Sequence, residues 1–157
     1  MKKLLFVLVA VLGLTFAASA QDTSRAIGGR FGGGTGVGAE FSFQQLIGQN
    51  NRLELDAGYS QNVDHYVNVA VAYHWRFPIA GDFNWFIGPC VNAGHCKNHG
   101  FGLAGGVQGG AEWNPNFMPL QVSLDARPVY DFLLDRNCLY NPNGLIFDVA
   151  LGVRYRF

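Results

Sequence analysis

Apolar and polar residues alternate along the last thirteen positions of the chain, residues 145–157. Apolar side chains occupy every second position from Leu145 to Phe157, and Arg154 and Arg156 fall between them. A period of two is typical of a strand whose two faces meet different surroundings. The segment is therefore predicted to be a β-strand with one apolar face and one charged face.

The same alternation divides the rest of the chain into further segments of roughly ten residues, the length that a tilted strand needs to cross a bilayer. Turn-forming residues separate several of them, as at 48–51, 78–82 and 114–116. Pro128 lacks an N–H group, so a bulge or a rim position is expected there. The eight predicted strands are residues 25–33, 36–46, 51–61, 65–77, 83–92, 100–113, 119–130 and 145–157.

Twelve charged residues are assigned to these predicted strands, and all twelve lie on one face, while the other charges are assigned to turns, loops or the N-terminus. The opposite face is apolar and is expected to carry no charge. The charged face holds six basic and six acidic residues, which suits mutual pairing. They are Arg30, Glu40, Arg52, Glu54, Asp56, Arg76, Glu112, Asp125, Arg127, Asp148, Arg154 and Arg156.

A barrel with such strands could place its charged face in water or in its lumen. Three features favour the lumen. Glycine and alanine accompany the arginines on that face, as a crowded interior requires, and its charges balance, as buried charges must. Bulky aromatic residues cluster at the strand ends of the apolar face, as in an interfacial girdle. The pattern predicts an all-β, eight-stranded antiparallel up-and-down transmembrane barrel with a lumen salt-bridge network.

The first twenty residues have a different character. A basic start with Lys2 and Lys3 precedes an apolar run, and Ala18-Ser19-Ala20 follows it. These features predict a secretory signal peptide at 1–20 and a barrel domain at 21–157. Cleavage lowers the Lys and Arg count from 11 to 9, against 11 Asp and Glu. No basic patch remains, so no nucleic-acid partner is expected.

The chain has three cysteines, Cys90, Cys96 and Cys138, in a compartment that permits disulfides. Cys96 and Cys138 fall in neighbouring predicted loops, and a bridge between them would tie down the longest loop. A Cys90–Cys96 bridge and no bridge at all are the alternatives.

Histidines offer one candidate metal site and one candidate lumen residue. His65, His95 and His99 could gather with Cys96 in the loops, but their spacing matches no established zinc motif. Solvated loop histidines are the expected interpretation, and no metal or cofactor is predicted. His74 falls on the lumen face, where a hydrogen-bonded, space-filling role is expected.

The signal peptide, the eight alternating strands and the terminal Phe157 together resemble the small OmpA/OmpX-type outer-membrane β-barrels of Gram-negative bacteria. The resemblance covers the whole mature chain. It implies an outer-membrane location, among membrane lipid and lipopolysaccharide, with both termini in the periplasm. It also implies that Tyr155 and Phe157 belong to a signal read by the barrel-assembly machinery, and that the last strand closes on the first.

This topology would place the turns 47–51, 78–82 and 114–118 in the periplasm. The segments 32–36, 61–65, 93–100 and 131–144 would be extracellular, and only the last is long, unlike the family pattern. The lumen charges would form two layers. Arg52, Glu54, Arg76, Glu112, Arg154 and Arg156 lie toward the periplasm, and Arg30, Glu40, Asp56, Asp125, Arg127 and Asp148 lie toward the outside.

No catalytic arrangement emerges from these residues, so a non-enzymatic role in envelope structure or surface interaction is expected. The pattern assigns no surface partner. The alternatives are a narrow ion channel gated by the lumen salt bridges, a barrel enzyme that modifies outer-leaflet lipid, and a soluble periplasmic binding barrel.

Overall fold

The computed structural model describes residues 24–34, 38–60, 66–97, 100–132 and 144–157. The predicted signal peptide lies outside this set. None of the described residues belongs to a helix with the length and apolarity needed to cross a membrane. The strands are β1 (Arg25–Gly34), β2 (Ala39–Ile47), β3 (Asn51–Ser60), β4 (Tyr66–Ala80), β5 (Phe83–Cys96), β6 (Gly100–Trp113), β7 (Leu120–Asp131) and β8 (Leu145–Arg156).

These strands form a closed barrel in which each strand pairs antiparallel with the next and β8 pairs with β1. The predicted eight-stranded up-and-down fold is confirmed. Closure removes the unpaired edges that an open sheet would expose. The start of β1 and the end of β8 meet at one end of the barrel, where the Arg25 N–H donates to the Phe157 carbonyl at 3.1 Å. We call this the terminal end, and the opposite one the distal end.

Two strands extend three or more residues beyond their predicted ends. β4 continues through Pro78 to Ala80, so the turn at the terminal end shrinks to Gly81 and Asp82, with Gly81 at φ 56°. Pairing with β3 stops at Trp75, so Pro78 faces no acceptor on that side and its missing N–H costs little. At the distal end, β5 continues to Cys96, and most of the predicted loop 93–100 is strand.

The expectation of a bulge or rim position at Pro128 is wrong. Pro128 lies inside β7, and the β6–β7 pairing keeps one register on both sides of it, from Gly106 opposite Val129 to Gly109 opposite Ala126. Pairing with β8 continues through Pro128 itself, opposite Phe147. The proline therefore removes a donor from the ladder with β6 without inserting a residue.

Burial alternates along each strand, but the apolar residues are exposed and the charged residues are buried, which is the reverse of the pattern in soluble proteins. Large outward residues such as Val71 (48% exposed), Leu124 (59%) and Leu151 (47%) are apolar and exposed. Inward residues such as Arg30 and Arg127 are 1% exposed. The barrel therefore has a polar, ionised core and an apolar outer wall.

Aromatic rings pair along the rim at the terminal end. Phe77 stacks on Trp85 with ring centroids 4.5 Å apart, and Tyr155 stacks on Phe157 at 6.4 Å. One charge departs from the predicted pattern, because Arg25 begins β1 at an outward position and donates to the Gln45 side-chain oxygen at 2.8 Å. Its place at the rim fits an interfacial residue, since lipid-facing charges cost least there.

Candidate functional site: the charged barrel interior

All twelve predicted lumen residues lie on the inner face of the barrel. Ten of them are at most 5% exposed, and Arg76 and Arg156, at the terminal end, are half-buried. Their ion pairs divide them into two layers along the barrel axis, and these layers coincide with the two groups that strand order predicts. We call them the distal layer and the terminal layer.

The distal layer is built around two arginines. Arg30 on β1 reaches Asp125 at 2.6 Å and Glu40 at 2.8 Å, and it also pairs with Asp148. Arg127 on β7 bridges Glu40 at 3.2 Å and also pairs with Asp56 on β3. Four carboxylates thus face two guanidinium groups, and the layer has a formal charge of −2. These pairs join β1, β2, β3, β7 and β8 across the lumen.

The terminal layer has the opposite balance. Arg154 pairs with Glu54 at 2.8 Å, while Arg52 and Arg76 share Glu112, the latter at 2.8 Å. The Arg156 Nη2 donates to the backbone carbonyls of Pro115 at 2.6 Å and Met118 at 3.0 Å. Four arginines face two glutamates, so this layer has a formal charge of +2.

The Gln108 amide connects the two layers. Its nitrogen lies 3.4 Å from Glu54 in the terminal layer and 3.3 Å from Asp125 in the distal layer. Its oxygen accepts a hydrogen bond from the Arg127 Nε at 3.1 Å, and the residue is fully buried. Alternation places Gln108 on the polar face, but only the stagger of the strands shows that it lies between the two layers.

The interior also contains apolar residues, and Phe86 among them is one that the alternation did not single out. The Phe86 ring, 1% exposed, lies 4.4 Å from the Arg52 guanidinium carbon, a cation–π contact. His74 packs on the same ring and accepts a hydrogen bond from the Arg52 Nε at 3.2 Å. A further buried apolar cluster comprises Tyr66, Ala72, Cys90, Ala104, Val129 and Ile146.

The inward glycines make room for the arginines, and Gly152 shows this directly. A Cβ added there would lie within 3.0 Å of both the Arg154 guanidinium and the Ser123 hydroxyl. Arg154 is held by Ser42, Ser123 and Glu54, each at 2.8 Å, so its tip has little freedom to move aside.

Gly152→Ala is therefore expected to destabilise the barrel by about 1–3 kcal/mol, the usual cost of overpacking a core. Denaturant unfolding of the protein in lipid vesicles would measure the loss. Gly33→Ala is the matched control, since a Cβ at Gly33 meets no atom within 4 Å. Equal stability of the two variants would show that the lumen can repack around the added methyl group.

The structure distinguishes between the alternative disulfide pairings of the cysteines. Cys90 is a free, buried thiol, and Cys96 lies six residues further along the same strand, β5. Six residues of strand span about 20 Å, far more than the roughly 7 Å between Cα atoms that a disulfide allows. The Cys90–Cys96 alternative is therefore wrong. Cys138 and the Cys96 side chain lie outside the described part of the chain, so their bridge stays a prediction.

The candidate metal site falls largely outside the described residues, because His65, His99 and the Cys96 side chain are not among them. His95 is exposed, at an outward position near the distal end of β5. Among the residues that the structure does describe, no group of histidine, cysteine and acidic side chains is arranged to hold a metal ion.

Comparison with known proteins links the chain to others through its fold. No protein-family model matches it, and no curated protein matches it in sequence. Among solved structures it is similar to the crystal structure of Neisserial surface protein A (NspA), with a TM-score of 0.55 and 12% sequence identity. The similarity covers 85% of this chain and 95% of that one. At this identity the likeness shows a shared barrel fold and does not single out OmpA/OmpX-type barrels.

Proposed function

We propose that the protein is an integral outer-membrane β-barrel with a structural or surface-interaction role and a lumen filled by side chains. The observation that carries the proposal is the inverted distribution of polarity. Phe41 (56% exposed), Leu124 (59%) and Phe147 (50%) form part of the apolar outer wall, whereas the interior is ionised. Lipid solvates such a wall, and a closed barrel satisfies the backbone without water.

The lumen network supports a structural plug. An eight-stranded barrel has an interior just wide enough for side chains to fill. Arg127 on β7 pairs with Asp56 on β3, and Arg30 on β1 pairs with Asp125 on β7. Such pairs link strands that are not neighbours, so the interior itself holds the wall in shape.

The interior hydroxyl and imidazole groups support a non-enzymatic role. Ser42 and Ser123 both accept hydrogen bonds from Arg154, and His74 accepts one from Arg52. A nucleophilic serine needs a histidine that is free to take its proton. These groups are instead engaged with arginines.

The proposed surroundings follow from the two ends of the barrel. The terminal end, with its aromatic rim and the assembly signal at Tyr155 and Phe157, would lie in the periplasm and be recognised by the barrel-assembly machinery. The distal wall, with Phe101 (59% exposed) and Phe132 (64%), would contact lipopolysaccharide acyl chains in the outer leaflet. The likeness to a Neisserial surface protein supports this location.

Membrane extraction combined with bilayer recording tests the proposal. The protein is expected to stay with membranes through high-salt and alkaline washes, to dissolve only in detergent, and to migrate differently on gels before and after boiling. The purified barrel is expected to give no reproducible conductance in planar bilayers, because four of the six lumen arginines are only 1% exposed and fill its interior.

Three other results would each contradict a part of the proposal. Release without detergent would indicate a soluble periplasmic barrel. Reproducible conductance altered by Arg127→Ala or Glu40→Ala would indicate a narrow channel. Acyl release or transfer from labelled lipid A would indicate an outer-leaflet enzyme.

A further inference from the structure

A cavity of about 140 Å³ opens at the terminal end of the barrel. The residues that line it include Arg52, Arg76 and Arg156 together with Asn114 and Gln121. By the same measure a single water molecule needs about 10–15 Å³, so the space accommodates a small polyatomic ligand.

The carboxylate nearest to these arginines is fully engaged. Glu112 receives hydrogen bonds from Arg52, from the Arg76 Nε at 2.8 Å, from the Asn114 amide at 2.9 Å and from the Gln121 amide at 3.0 Å. Glu54, the other acid of the terminal layer, is paired with Arg154 at 2.8 Å and lies 3.9 Å from the Arg52 Nη2, beyond hydrogen-bond distance. The cavity therefore keeps the excess positive charge of the terminal layer.

Several buried polar atoms around the cavity have no hydrogen-bond partner. Two are donors on arginines that line it, the Arg52 Nη2 and the Arg156 Nε, and Arg52 is only 1% exposed. Two are acceptors, the Asn114 Oδ1 and the Gln121 Oε1. Their amide nitrogens donate to Glu112, which fixes these oxygens as the groups left without partners.

We propose that this cavity binds a small oxyanion, a carboxylate or a phosphate, that carries an N–H or O–H group beside its charge. The planar guanidinium group can bind two oxygens of a carboxylate or of a phosphate through two parallel hydrogen bonds. The Arg76 side chain is 18% exposed and is accessible from the mouth. The amide oxygens of Asn114 and Gln121 accept the neighbouring donor. The proposal depends on the barrel fold alone and does not require the role proposed above.

Calorimetric titration of the detergent-folded barrel at low ionic strength tests the site with three probes: inorganic phosphate, N-acetylalanine and acetate. Phosphate and N-acetylalanine carry both an anion and a donor, so they are expected to bind saturably at one site. Acetate lacks the donor and is expected to bind more weakly. Gln121→Ala removes one of the two acceptors and is expected to reduce the difference in affinity between N-acetylalanine and acetate.

Arg76→Gln and Arg156→Gln are each expected to weaken binding about tenfold, since hydrogen bonds to charged groups are among the strongest in proteins. Lys97→Gln removes the same charge from an exposed residue at the distal end and is the matched control. A gel comparison of boiled and unboiled samples shows that each variant is folded.

The outcomes test whether the site exists and also distinguish a phosphorylated ligand from a carboxylate. Binding of phosphate alone points to a phosphorylated ligand, and binding of N-acetylalanine alone points to the carboxylate end of a peptide. The proposal is overturned if no probe binds saturably, if neither arginine variant weakens binding, or if Lys97→Gln weakens it equally.

Discussion

Arg30→Met is expected to destabilise the folded barrel by about 3–5 kcal/mol, the typical cost of removing one partner from a buried ion pair. The Arg30 guanidinium group contacts three carboxylates, those of Glu40, Asp125 and Asp148, and is 1% exposed. Methionine fills a similar volume, but it removes the positive charge that compensates the negative charges of these three carboxylates. Denaturant titration in lipid vesicles, followed by tryptophan fluorescence, would measure the change in the free energy of unfolding.

Two further variants make this experiment specific. Arg25→Met removes a half-buried arginine at the rim, which donates to the neutral Gln45, and is expected to cost less than about 1 kcal/mol. Adding Asp125→Asn to Arg30→Met removes one uncompensated charge and should recover part of the lost stability. Equal losses for Arg30→Met and Arg25→Met would show that the distal layer does not hold the barrel together.

Val71→Arg is expected to cost about 2–4 kcal/mol when the barrel is folded in a bilayer, because it places a charge on the middle of the apolar wall. Val71 is outward and 48% exposed, and it pairs with Leu55 on one side and Val91 on the other. The measurement is the difference in unfolding free energy between the variant and the wild type in vesicles of defined lipid.

The control for depth is Ile79→Arg on the same strand. Ile79 is 61% exposed and lies beyond the last β3–β4 pair, at the terminal rim, so the same substitution there should cost about 0–1 kcal/mol. In a soluble barrel both positions would face water and neither arginine would be penalised. Equal stability of the two variants would therefore contradict a lipid-facing wall.

The alternation of residues was enough to predict the eight strands and the face of each, because a barrel with one apolar and one ionised surface imposes a strict period of two. The positions at which the strands end were harder to predict from the sequence. Pro78 reads as a turn residue, yet it is tolerated in β4 because no neighbouring strand needs its N–H. Cys96 was predicted to lie in a loop, because the polar segment around it lacks the alternation of apolar and polar residues by which the strands were recognised.

The membership of each charge layer could also be predicted, since strand order and direction set the depth of a residue. The individual partners could not. Whether Arg127 meets Asp56, or whether Gln108 lies between the layers, depends on the stagger of the strands around the barrel, which alternation does not encode. Phe86 was missed because a single aromatic residue on a polar face shows no pattern until Arg52 is seen beside it.

The opposite charges of the two lumen layers have a consequence for permeation. A cation entering from the distal end would first meet a region of negative potential and then one of positive potential, and an anion from the other end would meet the reverse sequence. Each sign of ion is thus attracted at one mouth and repelled further in, in a low-dielectric shell where such barriers are large. The axial field would oppose leakage of both kinds of ion, even where thermal motion briefly opened a gap between the side chains.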